Sequence, residues 1–446
     1  MKTRKWWVCL PALAVLAGPL ARRGWPQQMT SLDRERALEI LNNVAHDVQK
    51  HYYDPNFHGV DWDAKVLEAK QKIKQETSLN MSLAHIAAAL DSLNDSHTFF
   101  LPPRRPYHHS YGFQMQAVGD RCYITRVRPA SDAEVKGVKR GDEVLTLNGW
   151  VPQRDILWKM DYRFNVLRPE AGLKLALRDP AGRERQVGVA AKFKETKRVT
   201  DLTLSNGGSD IWDELRNQET QDHLMRARIE ELGDELMVLK VPEFLFSQDE
   251  VDRWIGRARN HPALIIDLRG NPGGAVDTLK YLVGGIFEDE VKIADRVGRK
   301  DMKPEIAKSR GQKAYSGKVV VLIDAKSSSA AELFARLVQL RKRGVVMGDR
   351  SSGSVMEARR YTEHLGSDVV VFYGASITES DLVMSDGKSL EHTGVTPDEI
   401  VLPTAADMAS GRDPVLSHAA ATLGVKLSPE EAGKLMPYEW PPESLE

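Results

Sequence analysis

A short apolar strand that leads through a serine directly into a helix is the strongest constraint in this chain. Residues 319–323 read Val-Val-Val-Leu-Ile, and a helical pattern begins at Ala330, directly after Ser329. The amides of a first helical turn have no partners within the helix, and the helix dipole favours negative charge at that end. The junction therefore predicts that the Ser329 hydroxyl lies where developing negative charge is stabilised.

A second strand, upstream of this junction, ends in a glycine turn. It reads Ile-Ile-Asp-Leu-Arg-Gly-Asn-Pro-Gly-Gly over residues 265–274. The amides of Gly273 or Gly274 can face the same point as Ser329. A serine nucleophile with an oxyanion hole from two chain segments is the economical interpretation. From spacing alone, a serine-rich helix cap beside an ordinary glycine turn fits equally well.

Length and charge limit the possible functions. The chain has 446 residues and a formal net charge of −1. That length suffices for two or three domains of ~100–200 residues each. The basic clusters are short, and nothing in the sequence indicates a groove for nucleic acid. We therefore expect no nucleic-acid partner.

The first residues carry the pattern of an export signal. Lys2, Arg4 and Lys5 precede an apolar run over residues 6–17. A run of about 12 residues is the usual length of a signal-peptide core, whereas a membrane-spanning helix needs ~20. We predict a signal peptide over residues 1–25, a secreted or periplasmic protein, and no stable membrane span after cleavage. An uncleaved membrane anchor is the alternative.

Cysteine usage points to a core held by packing alone. Cys9 and Cys122 are the two cysteines, and removal of the leader leaves Cys122 without an intrachain partner. The sequence has no cysteine pair, no spaced histidine pair and no ladder of acidic residues of the kind that binds metals. We expect neither a metal site nor a cofactor.

The periodicity of the apolar residues divides the chain into three parts after the leader. Residues 30–100 carry three helical patterns, and residues 107–193 carry short alternating strands with turn signals. From residue 195 to residue 446 strands and helices alternate, which indicates an α/β core with helices packed on a sheet.

The middle part resembles a PDZ domain. The similarity lies in the loop Tyr111-Gly112-Phe113 and in Gly141-Asp142 followed by the turn at residues 148–149. In PDZ domains such a loop binds the carboxylate of a peptide that adds to the sheet as a strand, so the resemblance implies peptide binding by Gly112 and Phe113. A module that serves only for packing is the alternative.

Ordered motifs along the chain resemble the C-terminal-processing and tricorn-core serine peptidase family. This resemblance implies a crotonase-like α/β peptidase core, a helical N-terminal domain and an inserted PDZ-like domain. The motifs are Leu-Asn-Asp-Ser-His-Thr at 93–98, the PDZ-like stretch, and the segments 267–274, 327–332, 348–353 and 394–398.

One position separates the two branches of that family. C-terminal-processing members carry a basic lysine directly after a glycine, and here Ser354 follows Gly353. A serine cannot act as the lysine base does. The chain is instead similar to the tricorn-like branch, which uses a Ser-His-Ser-Glu relay.

The tricorn-like resemblance implies specific roles. Ser329 is the nucleophile and His97 is its base, while Glu391 orients the imidazole through Ser96. The amides of Ala330 and of one of the two glycines, Gly273 or Gly274, form the oxyanion hole. His392 and His364 remain rival bases, His97 fits a helix-end cap, and Glu391 fits a surface ion pair with Lys388.

The sequence thus predicts an exported serine endopeptidase that acts on unstructured polypeptides, either within them or by recognising free C-termini. A homo-oligomer is compatible with it. The alternative is a protein on the same scaffold that binds a ligand or peptide without cutting it, because the lysine has been lost.

Overall fold

A computed structural model describes residues 29–195, 224–366 and 370–441 of the chain. The predicted signal peptide at residues 1–25 lies outside the described residues. Over the three described ranges, no helix combines the length and the apolar character that a membrane crossing requires.

The helices of the described part range from single turns to six turns. Their bounds are α1 (Ser31–His51), α2 (Trp62–Gln75), α3 (Leu79–Asp91), α4 (Asp132–Val135), α5 (Leu157–Tyr162), α6 (Gln248–Ala258), α7 (Val276–Ile286), α8 (Ala330–Leu340), α9 (Ala405–Ser410), α10 (Pro414–Thr422) and α11 (Pro429–Leu435).

The strands of the described residues fall into four sheets. Their bounds are β1 (Phe99–Leu101), β2 (Tyr107–Ser110), β3 (Phe113–Val118), β4 (Arg121–Val127), β5 (Glu143–Leu147), β6 (Gly172–Arg178), β7 (Glu184–Ala190), β8 (Lys192–Glu195), β9 (Arg228–Leu232), β10 (Leu236–Lys240), β11 (Ala263–Asp267), β12 (Val291–Val297), β13 (Glu305–Ala307), β14 (Lys318–Ile323), β15 (Val345–Gly348), β16 (Met356–Leu365), β17 (Val371–Val383) and β18 (Glu399–Ile400).

A six-stranded sheet in the order β18-β15-β14-β11-β10-β9 forms the centre of the core. All neighbours are parallel except β9, which runs antiparallel at one edge. Alternate residues of β11 face opposite layers. Leu264 and Ile266 pack against α6, α7 and α8, whereas Ala263 and Ile265 pack against α10 and α11. Burial on both faces explains why this strand is apolar almost throughout.

The parallel order brings two loops to one edge of the sheet. β11 and β14 are neighbours, with Asp267 paired to Leu322 at their carboxyl ends. The glycine turn after β11 and the serine loop after β14 therefore start side by side, as expected for an open α/β sheet, in which ligands bind beyond the carboxyl ends of the strands.

The N-terminal helices pack on a second sheet of the core. Helices α1 to α3 share a hydrophobic cluster with Tyr373, Ala375 and Ile377 of β17. The short strand β1 pairs antiparallel with β17, with Phe100 opposite Ala375. The segment between α3 and β1, which carries the predicted Ser96 and His97, is thereby held against the core.

Residues 107–195 form a β-rich unit. Five strands in the order β3-β4-β5-β6-β7 make an antiparallel sheet, and β2 pairs with β8 beside it. Strand β3 lies at the edge of the five-stranded sheet. The predicted combination of helical N-terminal region, sheets and α/β core is confirmed at this coarse level, while the PDZ and crotonase-like assignments stay predictions.

Candidate active site

Ser329 lies in the loop between β14 and α8 with a strained backbone. Its φ is 54° and its ψ is −119°, a combination that residues with a Cβ rarely adopt. Two interactions hold it there: its N–H donates to the carbonyl of Ser354 at 2.8 Å and to Glu332 Oε2 at 3.0 Å. Such strain, stabilised by surrounding contacts, is typical of a serine exposed at a sharp strand-to-helix turn.

The two serines before Ser329 connect its loop to the neighbouring strand end. Ser327 Oγ donates to the Leu268 carbonyl at 2.8 Å. Ser328 donates through its N–H to the Asn271 carbonyl at 3.0 Å and through its hydroxyl to the Pro272 carbonyl at 2.9 Å. The serine loop and the glycine turn therefore behave as one rigid unit. The hydroxyls of Ser327 and Ser328 serve this packing.

Gly273 lies directly against the predicted nucleophile. A Cβ at this position would come 2.6 Å from the Cβ of Ser329, so no side chain fits without displacing the serine. Its φ of 98° also favours glycine. The N–H of Gly273 donates to Asn271 Oδ1 at 2.7 Å and is therefore engaged.

Two other amides near Ser329 are unengaged. Among the described residues, neither the N–H of Ala330 nor that of Gly274 has a hydrogen-bond acceptor. Gly274 is fixed by close packing on Phe244, whose carbonyl accepts from the Ala275 N–H at 2.9 Å. Of the two glycines predicted for the oxyanion hole, Gly274 is thus the one with an available donor.

Ser96, His97 and Glu391 form a hydrogen-bonded series. Ser96 Oγ lies 2.8 Å from His97 Nδ1 and donates to Glu391 Oε2 at 2.9 Å, while the Ser96 N–H donates to Oε1 at 2.8 Å. The Val355 N–H also donates to Oε2, at 2.8 Å. The Glu391 side chain is 11% exposed and makes no ion pair with Lys388 in the described part of the chain. The surface-pair alternative is therefore wrong.

This series determines which imidazole nitrogen carries the proton. Because the Ser96 hydroxyl donates to Glu391, it accepts from His97 Nδ1–H, and the lone pair of Nε2 is left unprotonated. Burial lowers the pKa of His97 below its ordinary value, although the Glu391 carboxylate acts in the opposite direction. The ring is thus neutral at neutral pH and able to accept a proton.

A buried aspartate fixes the turn that carries His97. Asp95 Oδ1 accepts from the N–H groups of His97 and Thr98 at 2.8 and 3.0 Å, and from Thr378 Oγ1 at 2.8 Å. Thr98 Oγ1 in turn accepts from the Thr378 N–H at 3.0 Å. Since Thr378 lies on β17, these hydrogen bonds attach the turn to the core. His97 therefore does not serve simply as a cap at a helix end.

Glu332 is a functional candidate that the sequence did not single out. It is fully buried, and its carboxylate accepts from Ser351 Oγ at 2.5 Å and from the N–H groups of Gly353, Ser354 and Ser329 at 2.7, 3.0 and 3.0 Å. Burial raises the pKa of Glu332 to about 7, although these hydrogen bonds act against it. The acidic residue in the first turn of α8 was the available signal, because carboxylates there commonly cap backbone amides.

The segment 353–355 joins the two halves of the site. Ser354 accepts from Ser329 through its carbonyl, and the next residue, Val355, donates to Glu391. Ser329 and the series that ends in His97 are thus anchored to adjacent residues. In the described structure, however, no hydrogen bond joins His97 Nε2 to Ser329 Oγ. Catalytic hydrogen bonds are often long in empty enzymes and tighten when substrate binds.

The two rival histidines occupy other places. His392 Nε2 lies 2.9 Å from the carbonyl of Asn94 and 3.7 Å from Glu391 Oε1, and its side chain is about half exposed. His364 lies on β16 beside the ring of Phe372. Neither has a hydrogen bond to Ser329 or to the Ser96 hydroxyl within the described residues.

Strand β3 and helix α5 border a groove of about 960 Å³. Phe113 lines it, whereas Gly112 sits behind it: the Gly112 N–H donates to Ser110 Oγ at 3.2 Å, and a Cβ there would strike Ser131. Of the two residues predicted to bind peptides, Phe113 therefore reaches the groove. Other lining side chains include Met115, Phe164, Lys326, Phe372 and Trp440.

Polar contacts link the β-rich unit to the loops of the site. Gln116 Nε2 donates to Asp324 Oδ2 at 2.7 Å, and Asp324 lies at the start of the serine loop. Arg154 pairs with Asp349 at 3.0 Å, in the segment that leads to the loop bound by Glu332. The β-rich unit is thus attached to two loops of the candidate site by ordered polar contacts.

An ion-pair cluster stabilises the end of β11. Arg269 contacts Asp267 and Asp413, each at 2.8 Å, and Lys240 lies 3.1 Å from Asp267. Burial alone would raise the pKa of Asp267, but Arg269 and Lys240 hold it well below its usual range. These charges are satisfied by one another and support the glycine turn.

Comparison with known proteins adds family information to this geometry. Residues 235–401 match the family described as Peptidase family S41. A tricorn protease homolog of Streptomyces coelicolor is 24% identical over 90% of this chain and 34% of the relative. The tail-specific protease of Haemophilus influenzae is 24% identical over 59% of this chain and 38% of the relative. The chain therefore spans little more than a third of the length of these two relatives.

The crystal structure of mature CPAF has a similar fold. It superposes with a TM-score of 0.63 at 19% identity, over 85% of this chain and 95% of that structure. At this level of identity the likeness concerns the fold alone.

Proposed function

We propose that the chain, in which residues 235–401 match peptidase family S41, is an exported serine endopeptidase. It hydrolyses peptide bonds in unstructured proteins or near C-terminal tails, with Ser329 as nucleophile. One observation carries the proposal: the series Glu391–Ser96–His97 and the serine at the helix N-terminus are bound to two adjacent residues. Val355 donates to Glu391, Ser354 accepts from Ser329, and the backbone of Ser329 is strained.

The reaction begins with the Ser329 hydroxyl. His97 Nε2 takes its proton while Oγ bonds to the carbonyl carbon of the substrate. As the tetrahedral intermediate collapses, the C–N bond breaks and His97 gives the proton to the leaving amine. Water then attacks the resulting ester with His97 again as base, which releases the new carboxylic acid and restores Ser329.

Ser96 and Glu391 are positioning residues in this scheme. During the first step the imidazole becomes positively charged, and the Glu391 carboxylate stabilises that charge through the Ser96 hydroxyl. The same bonds keep Nδ1 protonated, so that Nε2 is left as the basic nitrogen. This is the triad logic extended by one hydroxyl.

The oxyanion is stabilised by the amides of Ala330 and Gly274. Both are unengaged among the described residues, and the first belongs to the N-terminal turn of α8, where the helix dipole adds a favourable field. Close contact of Gly273 with Ser329 keeps the glycine turn beside the nucleophile.

The groove beside β3 is the proposed binding site for the substrate peptide. An edge strand next to an apolar groove suits an extended peptide that pairs with the sheet. The name tail-specific protease, borne by one relative, supports recognition of C-terminal tails. The export pattern at residues 1–25 supports a location outside the cytoplasm.

The test uses a fluorophosphonate probe and fluorescein-labelled casein. Wild-type protein should be labelled on Ser329 and should degrade casein, and Ser329→Ala should lose both. His97→Ala should lower both rates by at least about a hundredfold, the range expected for loss of a general base. Ser352→Ala, which removes an exposed serine of the adjacent loop, and His392→Ala should retain both activities.

Full labelling and hydrolysis in His97→Ala would remove the proposed base. Absence of labelling and turnover in the wild type, under conditions in which it is folded, would favour the binding protein without catalysis.

A further inference from the structure

The segment 437–441, called the tail segment below, contacts the β-rich unit through Tyr438, Trp440 and Pro441. Its first residue, Pro437, accepts a hydrogen bond from Arg228 of β9 at 2.6 Å. The Arg126 guanidinium stacks 3.6 Å from the centroid of the Tyr438 ring, and Gln114 Nε2 donates to the Tyr438 hydroxyl at 3.0 Å. Gln114 and Arg126 face each other across β3 and β4. Tyr438 is therefore bound at a cross-strand pair of the edge hairpin.

A second aromatic residue extends this contact. The ring of Trp440 lies 4.8 Å from the Arg128 guanidinium, and Arg128 donates to the Pro441 carbonyl at 2.6 Å. The Tyr438 and Trp440 rings meet edge to face at 5.4 Å. Two cation–π contacts and two hydrogen bonds are the anchors of a specific docking site, since scattered surface contacts seldom combine them.

The tail segment reaches the groove described above. Trp440 forms part of the groove wall together with Phe113 and Gln114 of the edge strand β3. A peptide that occupies this groove beside β3 would therefore contact Trp440. The tail segment and a bound substrate peptide would thus compete for the same part of the groove.

The charges of the groove suit the composition of the tail segment. Arg104, Lys326 and Arg360 line the groove, and none of them forms a salt bridge within the described residues. Asp161 is the acidic residue of the lining, and burial raises its pKa to about 6 while it lowers the pKa of the neighbouring Lys326. The unpaired positive charge of the groove therefore rests on Arg104 and Arg360. The tail segment places Glu439 between its two aromatic rings. Two unpaired arginines and apolar walls suit a peptide that carries acidic and aromatic side chains.

We propose that the tail segment is an intramolecular ligand of the β-rich unit that partly closes the peptide groove, and that the groove takes peptides in which aromatic side chains flank a carboxylate. The part that concerns proteolysis rests on the proposed peptidase function. The part that concerns binding does not.

The binding test uses a catalytically silent Ser329→Ala background. The probe is a fluorescein-labelled synthetic peptide copying residues 434–441, titrated by fluorescence anisotropy. A tethered ligand faces an effective concentration in the millimolar range. The peptide should therefore bind the Tyr438→Ala/Trp440→Ala protein about tenfold more tightly than the protein with an intact tail.

Two controls make the comparison specific. A peptide with alanine in place of both aromatic residues should bind neither protein. Trp150→Ala, which removes an exposed tryptophan of the same unit that does not line the groove, should bind like the intact protein. Trp440→Ala alone is a milder change and should give an intermediate affinity. It keeps the proposal testable if the double variant does not fold.

The proteolysis test measures casein hydrolysis with Ser329 intact. The double variant should degrade casein several-fold faster than wild type. Equal peptide affinity with and without the two aromatic residues would overturn the proposal. Tighter binding without any change in hydrolysis would overturn only the inhibitory role, and absence of hydrolysis in every protein would count against the peptidase function instead.

Discussion

Replacement of Glu391 by glutamine isolates the electrostatic contribution of the relay. The side chain is 11% exposed, and its two oxygens accept three hydrogen bonds, two from Ser96 and one from Val355. Glutamine keeps the shape but offers a single acceptor atom. One N–H or O–H donor loses its partner, which costs about 1–3 kcal/mol of folding free energy.

The effect on catalysis follows from distance. The two hydrogen bonds through Ser96 place the carboxylate within about 6 Å of the imidazole. At an effective dielectric constant of about 20, a unit charge at that distance stabilises the imidazolium by about 3 kcal/mol. Glu391→Gln should therefore lower kcat by about a hundredfold. KM should change little, because the carboxylate lies on the far side of His97 from the substrate.

The assay is steady-state hydrolysis of a quenched-fluorescent peptide that the wild type cleaves, with urea unfolding as a measure of stability. Glu399→Gln is a matched control, since Glu399 pairs with His418 at 2.7 Å on the surface. It should keep wild-type kcat. A folded Glu391→Gln protein with kcat within threefold of wild type would refute the relay.

Three further predictions concern the same site. Gly273→Ala should abolish hydrolysis while the protein stays folded, because the added Cβ displaces Ser329; wild-type turnover would contradict the packing. The acid limb of kcat/KM should move to lower pH in Glu391→Gln, because loss of the carboxylate further lowers the pKa of His97; a shift to higher pH would contradict the assignment. Glu332, whose pKa is raised from 4.5 to about 7, holds its proton more tightly in the folded than in the unfolded chain, so wild-type stability should fall by about 3 kcal/mol as pH rises from about 4.5 to about 7. Urea unfolding at pH 5 and pH 7.5 measures this loss, and Glu332→Gln should show a smaller one.

Local patterns predicted the elements that carry the site. The apolar run before Ser329 and the helical periodicity after it are short-range signals, and they correspond to β14 and α8. The order of strand and helix signals also gave the α/β core. Residues 94–98 were assigned to the end of the helical part, and they do lie between α3 and β1.

Contacts between segments that are distant along the chain could not be predicted from the sequence. The four bonds of Glu332 join the first turn of α8 to the segment 351–354 and have no local signature. The Asn271 side chain accepts a hydrogen bond from the Gly273 N–H, and this depends on a side-chain rotamer that residue spacing cannot predict. The docking of Tyr438 on Gln114 joins residues 324 positions apart. Such contacts depend on the assembled sheets.

The distance between His97 Nε2 and Ser329 Oγ in a crystal structure with a peptide boronic acid bound to the serine tests the account most directly. The relay predicts about 2.6–3.2 Å between these atoms, with the Ser96 and Glu391 hydrogen bonds retained. A boronate bound to Ser329 while the His97 ring stays out of hydrogen-bond reach, or while another group takes its place, would contradict it.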